Sequence, residues 1–362
     1  MEEYTFFEKM LLRLKSELAQ WKKAQRLLIN RNITSRNVER IKLVAVAKNE
    51  SMYLPEWIFH HLYFGFSEIE IYYNGCSDNT EELANLLEDL PVKFINSDEV
   101  FASGIPAPQV HIYKSSFTNI ESVDAVMFLD IDEFWVPIDL KRTIAQVCSS
   151  IGKFDTLSFK WFNKLEKDNL LTPALQQTIS VESARQIKTL YKKYTRPQQM
   201  NPHNTLDNGL LQKFENAEYL KCINDQNSQV DCIEMPKNAY ILHRKNRSQY
   251  EYVAMLLRGR PLGKLKEEHL RLKSNRAGFY FVSNPHTFSF QTVAFEDYRS
   301  YMEKHLKDER FRDYFKKARE YLDFRYSEVI KIVSDNYSTN KRDLSKLLTG
   351  ITLPDITEIL ER

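Results

Sequence analysis

Two carboxylates two residues apart, at the end of an apolar run, are the most pointed chemical feature of this chain: Asp130 and Asp132 in VMFLDIDEFW. The four residues before Asp130 are all apolar, which reads as a strand delivering the pair to a sheet edge, and strand alternation puts both carboxylates on one side. Like charges held together repel unless a cation compensates, so coordination of a hard divalent ion, Mn²⁺ or Mg²⁺, is the role expected of them. Such an ion could also hold a diphosphate and neutralise its charge as it leaves. An isolated D-x-D is equally a solvated turn, but the apolar strand before it and Glu133-Phe134-Trp135 after it argue against that here. Glu133 either takes part in catalysis or braces the metal pair. Glu166 and Asp168, just after TLSFKWF, are the other candidate bases.

A second cluster is NGCSDNT, with Asn74, Ser77, Asp78 and Thr80. Ser77 or Asp78 suits the start of a helix, and hydrogen bonding to a nucleobase or ribose is compatible with that. His203, in YTRPQQMNPHNT, and His243, in YILHRKNRSQYEY, are the histidines in the most polar surroundings. A lone histidine is more often structural than catalytic. Both nevertheless lie near basic residues, Lys188, Lys192, Lys193 and Arg196 for the first, Arg244, Lys245, Arg247, Arg258 and Arg260 for the second. Basic groups usually form a solvated face; these could equally close on a diphosphate.

The elements that must position these residues alternate between strand and helix from 41 to about 165. IKLVAVAK, SEIEIYYN, PVKFI and VDAVMFLD read as strands; NESMYLPEWIFHHLYFG, ended by Gly65, then SDNTEELANLLEDL and QVHIYKSSFTNI read as helices. Such alternation predicts a doubly wound, mostly parallel α/β sheet with ligands off the carboxyl ends of its strands. Lys48, Asn49 and Glu50 follow the first strand, Asn74 and Asp78 the second, Asp130 and Asp132 the fourth. Beyond 165 the pattern loosens into loops and polar helices, with a strand at NAYILHR and helices across 248–258, 295–320 and 327–334. Ahead of the sheet, Tyr4, Phe7, Leu11, Leu14, Leu18, Trp21 and Leu28 form a heptad stripe over a helix spanning 1–36. That stripe suits packing on the chain's own catalytic domain, homo-oligomerisation, or attachment to a partner. Nine Lys/Arg against five Glu over residues 1–40 also suit weak, peripheral docking on an anionic membrane.

Composition narrows the classes. A net charge of +2 gives no reason to expect nucleic acid as a partner. Four cysteines without a CxxC pair argue against a structural zinc site and a disulfide scaffold, and fit a reducing compartment. The acidic, interrupted N-terminus reads as neither signal peptide nor membrane span, so a cytoplasmic location is the expectation.

The stretch KNESMYLPEWIFHHLYFGFSEIEIYYNGCSDNT, together with VMFLDIDEFW, resembles the glycosyltransferase 2-like group that includes glycosyltransferase family 92, with its D-x-D-E-F motif. QVHIYKSSF is similar to that group's Q...Y helix, YKKYTRPQQMNPHNT to its basic segment ending in His, and ILHRKNRSQYEYVAMLLRGRP to its late histidine segment. The five blocks occur in order over residues 41–262. The resemblance implies a GT-A fold over 41–262 and leaves 263–362 as a mainly helical extension. It also implies a nucleotide-sugar donor, such as a UDP-sugar, a divalent metal on Asp130 and Asp132, and inversion at the anomeric carbon. By position, Lys48, Asn49, Glu50, Asn74 and Asp78 would surround the nucleotide, with Lys188, Arg196 and His203 in the basic segment and His243 near the diphosphate or metal. Three positions depart from the pattern: Tyr73 replaces the first Asp of a DN pair, Arg244 a Tyr, and Met255 a common Lys.

The function expected is transfer of a sugar to a hydroxyl of a glycan or lipid-linked acceptor in surface polysaccharide synthesis. A nucleotidyltransferase is the rival enzyme class, though KNESMYLPEW lacks the glycine-rich phosphate loop it would want. A non-catalytic carbohydrate-binding or scaffold protein is the rival outside enzymes.

Overall fold

The computed structural model describes residues 38–118, 120–165, 169–231, 235–257, 270–273, 276, 278–279 and 285–361. The expected N-terminal helix over 1–36, with its oligomerisation and membrane readings, lies outside these residues, as do Glu166 and Asp168.

The first half winds as the alternation predicts. Strands β1 (Ile41–Ala47), β2 (Glu68–Tyr73), β3 (Val92–Asn96) and β4 (Ala125–Phe128) are parallel in the order β3-β2-β1-β4. The intervening helices are α1 (Leu54–Tyr63), α2 (Glu82–Leu86), α3 (Asp98–Ala102) and α4 (Pro108–Ser115). Their strands read as unbroken apolar runs because both faces of the sheet are covered. Leu43, Ala45, Ala125 and Met127 enter the core beneath α1, whereas Val44, Val126 and Phe128 enter the core beneath α3 and α4.

The second half departs from the expected pattern. After β4 the sheet continues through β7 (Thr178–Lys192), β6 (Thr156–Lys164), β9 (Ala239–His243) and β5 (Glu133–Pro137), with β8 (Gln212–Phe214) beside β6 and β10 (His286–Ser289) beside β7. The β4–β7, β6–β7, β5–β9 and β7–β10 pairings are antiparallel. The sheet is therefore parallel at one side and mixed at the other, within an α/β fold of the Rossmann-like kind.

Helix α5 (Ile144–Ile151) begins with a reciprocal Thr143–Gln146 capping box, and α6 (Gln249–Leu256) with a Ser248–Glu251 box. The chain then adds α7 (Thr292–Leu306), α8 (Arg312–Asn336), α9 (Lys341–Leu348) and α10 (Pro354–Leu360). The helical stretches expected at 295–320 and 327–334 resolve into α7 and one long α8. Described residues on the two sides of 262–263 pack together. Tyr252 to Leu256 of α6 share one core with Leu322, Val329, Leu344 and Ile356, and β10 extends the central sheet from beyond that point.

Helix α1 is anchored at its carboxyl end by two buried histidines that act structurally. His60 Nδ1 is 3.0 Å from Tyr298 Oη and its Nε2 2.9 Å from the Trp135 carbonyl. His61 pairs with the Trp57 carbonyl and receives the Trp135 N–H. Burial lowers the His60 pKa to about 3, so this ring is neutral at ordinary pH. Among the described residues no helix is long and apolar enough to cross a membrane.

Candidate active site

The carboxyl ends of β1, β2 and β4 open onto a cavity of 340 Å³. Lys48 and Glu50 reach it from the end of β1, Asn74 from β2, and Asp130 and Asp132 from β4. Gln109 of α4 and His243 of β9 complete the acidic side, and Lys273 and Arg276, from beyond α6, bring positive charge to its rim. A larger cavity of 520 Å³ lies between α1, residues 171–177 and α7. It is mostly apolar, and its Glu56 is already engaged by the Ala174 N–H at 2.6 Å and by Arg244 at 3.3 Å. The smaller, polar cavity is the one with convergent chemical groups.

Asp130 and Asp132 do face one cavity, but through a turn, since β4 ends at Phe128. The Glu133 N–H donates 3.0 Å to the Asp130 carbonyl, and the Trp57 indole N–H is shared between the Asp130 carbonyl at 3.1 Å and the Glu133 carbonyl at 2.8 Å. The Asp130 N–H in turn donates 2.8 Å to Glu133 Oε2. One tryptophan and one buried carboxylate thus fix the backbone that carries the pair.

Beneath the turn sits Lys188 of β7, with no exposed side-chain surface. Its Nζ donates 3.0 Å to Asp130 Oδ2 and lies 2.9 Å from Glu133 Oε2. Gln109 Nε2 donates 2.9 Å to Asp130 Oδ1 and 2.7 Å to Tyr113 Oη. Burial works against the Lys188 charge, yet the Asp130 and Glu133 carboxylates outweigh it and hold its pKa above the usual lysine value. Part of the charge compensation that the acidic motif demands is therefore supplied by the protein itself.

On the other side, His243 Nδ1 is 2.8 Å from Asn163 Oδ1, and its Nε2 is 3.7 Å from Asp132 Oδ2. The ring lies against Trp161, centroids 4.2 Å apart. His203 also packs against Trp161, ring centroids 5.3 Å apart, with its Nδ1 3.0 Å from the Ile187 carbonyl. Burial and the Lys188 ammonium lower its pKa to about 4.

No family model and no curated protein matches the chain. Solved structures do. The chain is similar to HddC from Yersinia pseudotuberculosis at 12% identity, over 48% of this chain and 88% of that one, with a TM-score of 0.29. It is similar to residues 1–349 of S. aureus TarS at 12% identity, over 89% and 90%, with a TM-score of 0.33. To the inositol-1-phosphate CTP transferase from T. maritima it is similar at 10% identity, over 49% and 85%, with a TM-score of 0.28. Likenesses this distant carry no weight on the chemistry, which rests on the site's own geometry.

That geometry sorts the residues singled out from sequence. Lys48, Glu50, Asn74, Asp130, Asp132 and His243 share the cavity. Asn49, in a left-handed conformation with φ of 53°, instead pins the neighbouring loop by accepting the Ser77 N–H at 2.7 Å. Asp78 accepts the Ser51 N–H at 2.8 Å and both Thr80 donors, so its carboxylate ties the loops after β1 and β2 together. Glu133 and Lys188 lie buried under the motif, paired with each other and with Asp130. Arg196 is exposed and follows the end of β7 that pairs with Ala125, at the end of β4 away from Asp130. It does not join the site, because β7 runs antiparallel to β4. Lys273, Arg276 and Asn163 were not among the residues singled out; Gln109 was carried only by the resemblance of QVHIYKSSF to a Q...Y helix, a four-residue spacing that puts it on the same face of α4 as Tyr113.

Proposed function

We propose that the chain is a metal-dependent glycosyltransferase that moves a sugar from a nucleoside-diphosphate donor to an acceptor hydroxyl with inversion. The observation that carries this reading is the division of charge around one cavity at the strand ends: Asp130, Asp132 and His243 on one wall, Lys48, Lys273 and Arg276 on others. Carboxylates suit a hard cation, and ammonium and guanidinium groups suit phosphate.

The donor set fits a divalent ion held in part by protein. Among the described residues no group of three or more His, Cys, Asp or Glu side chains could hold an ion unaided. Mg²⁺ commonly takes one or two carboxylates and completes its shell with water and substrate phosphates, and Mn²⁺ accepts the same oxygen donors. Asp130 and Asp132 would hold such an ion, which supplies charge stabilisation for the departing diphosphate. Lys273 and Arg276, which line the same cavity, would bind the phosphates, and Trp57, Gln109 and Lys188 would keep the acidic turn in position. Glu133 is a brace in this reading and not the base; Glu166 and Asp168 remain the candidates for deprotonating the acceptor. A UDP-sugar donor, a glycan or lipid-linked acceptor, and a cytoplasmic role in surface polysaccharide synthesis belong to the same proposal.

The test is incubation with a panel of nucleotide sugars and Mn²⁺, with the released nucleotide identified by mass spectrometry. Nucleoside diphosphate is the expected product. Pyrophosphate would point to nucleotidyl transfer, and neither turnover nor nucleotide binding would point to a scaffold. Asp130→Ala or Asp132→Ala should lower turnover roughly 10²- to 10³-fold or more with an unchanged circular dichroism spectrum; full metal-dependent activity in both variants sinks the assignment.

A further inference from the structure

Sheet register places a row of side chains leading to the cavity. Glu182 of β7 is the cross-strand partner of Asn163 of β6, and Asn163 is the partner of His243 of β9. Asn163 Nδ2 donates 3.4 Å to Glu182 Oε2, and Asn163 Oδ1 is 2.8 Å from His243 Nδ1. An ionised carboxylate only accepts, so Glu182 turns the amide NH₂ toward itself and leaves the amide oxygen facing the histidine. That oxygen needs a hydrogen on Nδ1. A single ring proton is thereby held at Nδ1, which leaves the Nε2 lone pair for a cation on the side where Asp132 Oδ2 lies 3.7 Å away. Trp161 against the ring face restricts its tilt.

We propose that Asn163, oriented by Glu182, is a positioning residue that fixes the Nδ1–H tautomer of His243. It thereby makes Nε2 and the Asp132 carboxylate a mixed nitrogen–oxygen donor pair that favours Mn²⁺ over Mg²⁺. The inference rests on the metal-dependent reading above. Mg²⁺ favours an all-oxygen octahedral shell, whereas a transition-metal ion accepts imidazole more readily. Partners that orient a ligating histidine typically change metal affinity by about 10- to 100-fold when removed.

Two measurements on the whole chain without donor test this. Long-range ¹H–¹⁵N correlation spectra of metal-free, ¹⁵N-histidine-labelled protein, with His243→Gln to assign the signal, should show hydrogen on Nδ1 and a bare Nε2. Calorimetric titration with Mn²⁺ and with Mg²⁺ should show Asn163→Leu weakening Mn²⁺ roughly 10- to 100-fold and Mg²⁺ much less. Asn163→Asp, which keeps an acceptor opposite Nδ1, should retain most of the Mn²⁺ affinity. Glu182→Gln frees the amide to turn over, so it should weaken Mn²⁺ in the same direction, and it serves if Asn163→Leu does not fold. Mn²⁺ binding by a wild-type His243 that carries hydrogen on Nε2 overturns the relay alone, as does unchanged Mn²⁺ affinity in folded Asn163→Leu or Glu182→Gln. An Nδ1–H tautomer with no Mn²⁺ binding overturns the metal reading and the selectivity built on it, while the tautomer assignment stands.

Discussion

At the scale of single residues, Lys188 decides how the acidic motif is tolerated. It is fully buried between Asp130 and Glu133, and removing one member of a buried ionic cluster strands the others. Lys188→Met should cost about 3–5 kcal/mol in urea denaturation, and adding Glu133→Gln should restore part of it; equal loss in the single and double variants would contradict the pairing. The low pKa of His203, about 4, makes a pH prediction. Unfolded chains bind a proton at this histidine near pH 6.5 and folded ones only near 4, so stability is fully present above pH 6.5 and falls toward pH 4. His203→Gln should flatten that part of the stability–pH curve. The sequence showed Asp130, Asp132 and His243 as chemically promising because residue type and neighbours were enough. It could not show Lys188 as their buried counter-charge, since Lys188 lies 58 positions after Asp130 and comes beside it through the pairing of β7 with β4.

At the scale of elements, the parallel strands were legible because apolar faces on both sides leave continuous Val, Ile and Leu runs. Strand β7 was not. Its sequence TISVESARQIKTLYK looks polar, since Lys188 and Lys192 point into buried ionic and aromatic partners and not into solvent. Helix α1 carries the brace of the acidic turn, and Trp57→Phe removes the one N–H shared by two carbonyls while keeping most of the ring's packing. A loss of about 1–3 kcal/mol is expected, with reduced turnover; unaltered stability and turnover would mean the turn holds its shape unaided. Gly350, with φ of 77°, passes so close to the Phe279 carbonyl that an added Cβ would lie 2.0 Å from its oxygen. Gly350→Ala should therefore loosen the α9–α10 layer by about 1–3 kcal/mol or more, read by chemical denaturation.

At the scale of the whole molecule, the segment after α6 is part of the site as well as part of the scaffold. Lys273 and Arg276 line the cavity, and Leu272 and Phe279 bury themselves in the core formed with α6, α8, α9 and α10. Lys273→Ala and Arg276→Ala should each weaken UDP binding about tenfold or more, measured by calorimetry, without loss of helical content; wild-type affinity in both would reduce this segment to a support. By itself the sequence determined the doubly wound parallel half and the gathering of Lys48, Asn74 and Asp130 at its strand ends, because strand period, helix signals and strand polarity are local properties. Only the tertiary structure decided that Lys188 lies beneath the acidic turn, that Arg196 follows the opposite end of the strands, and that two cations from beyond α6 line the same cavity as the carboxylates. Those placements depend on which distant strands pair, in which direction and in which register, and no local pattern in the chain encodes them.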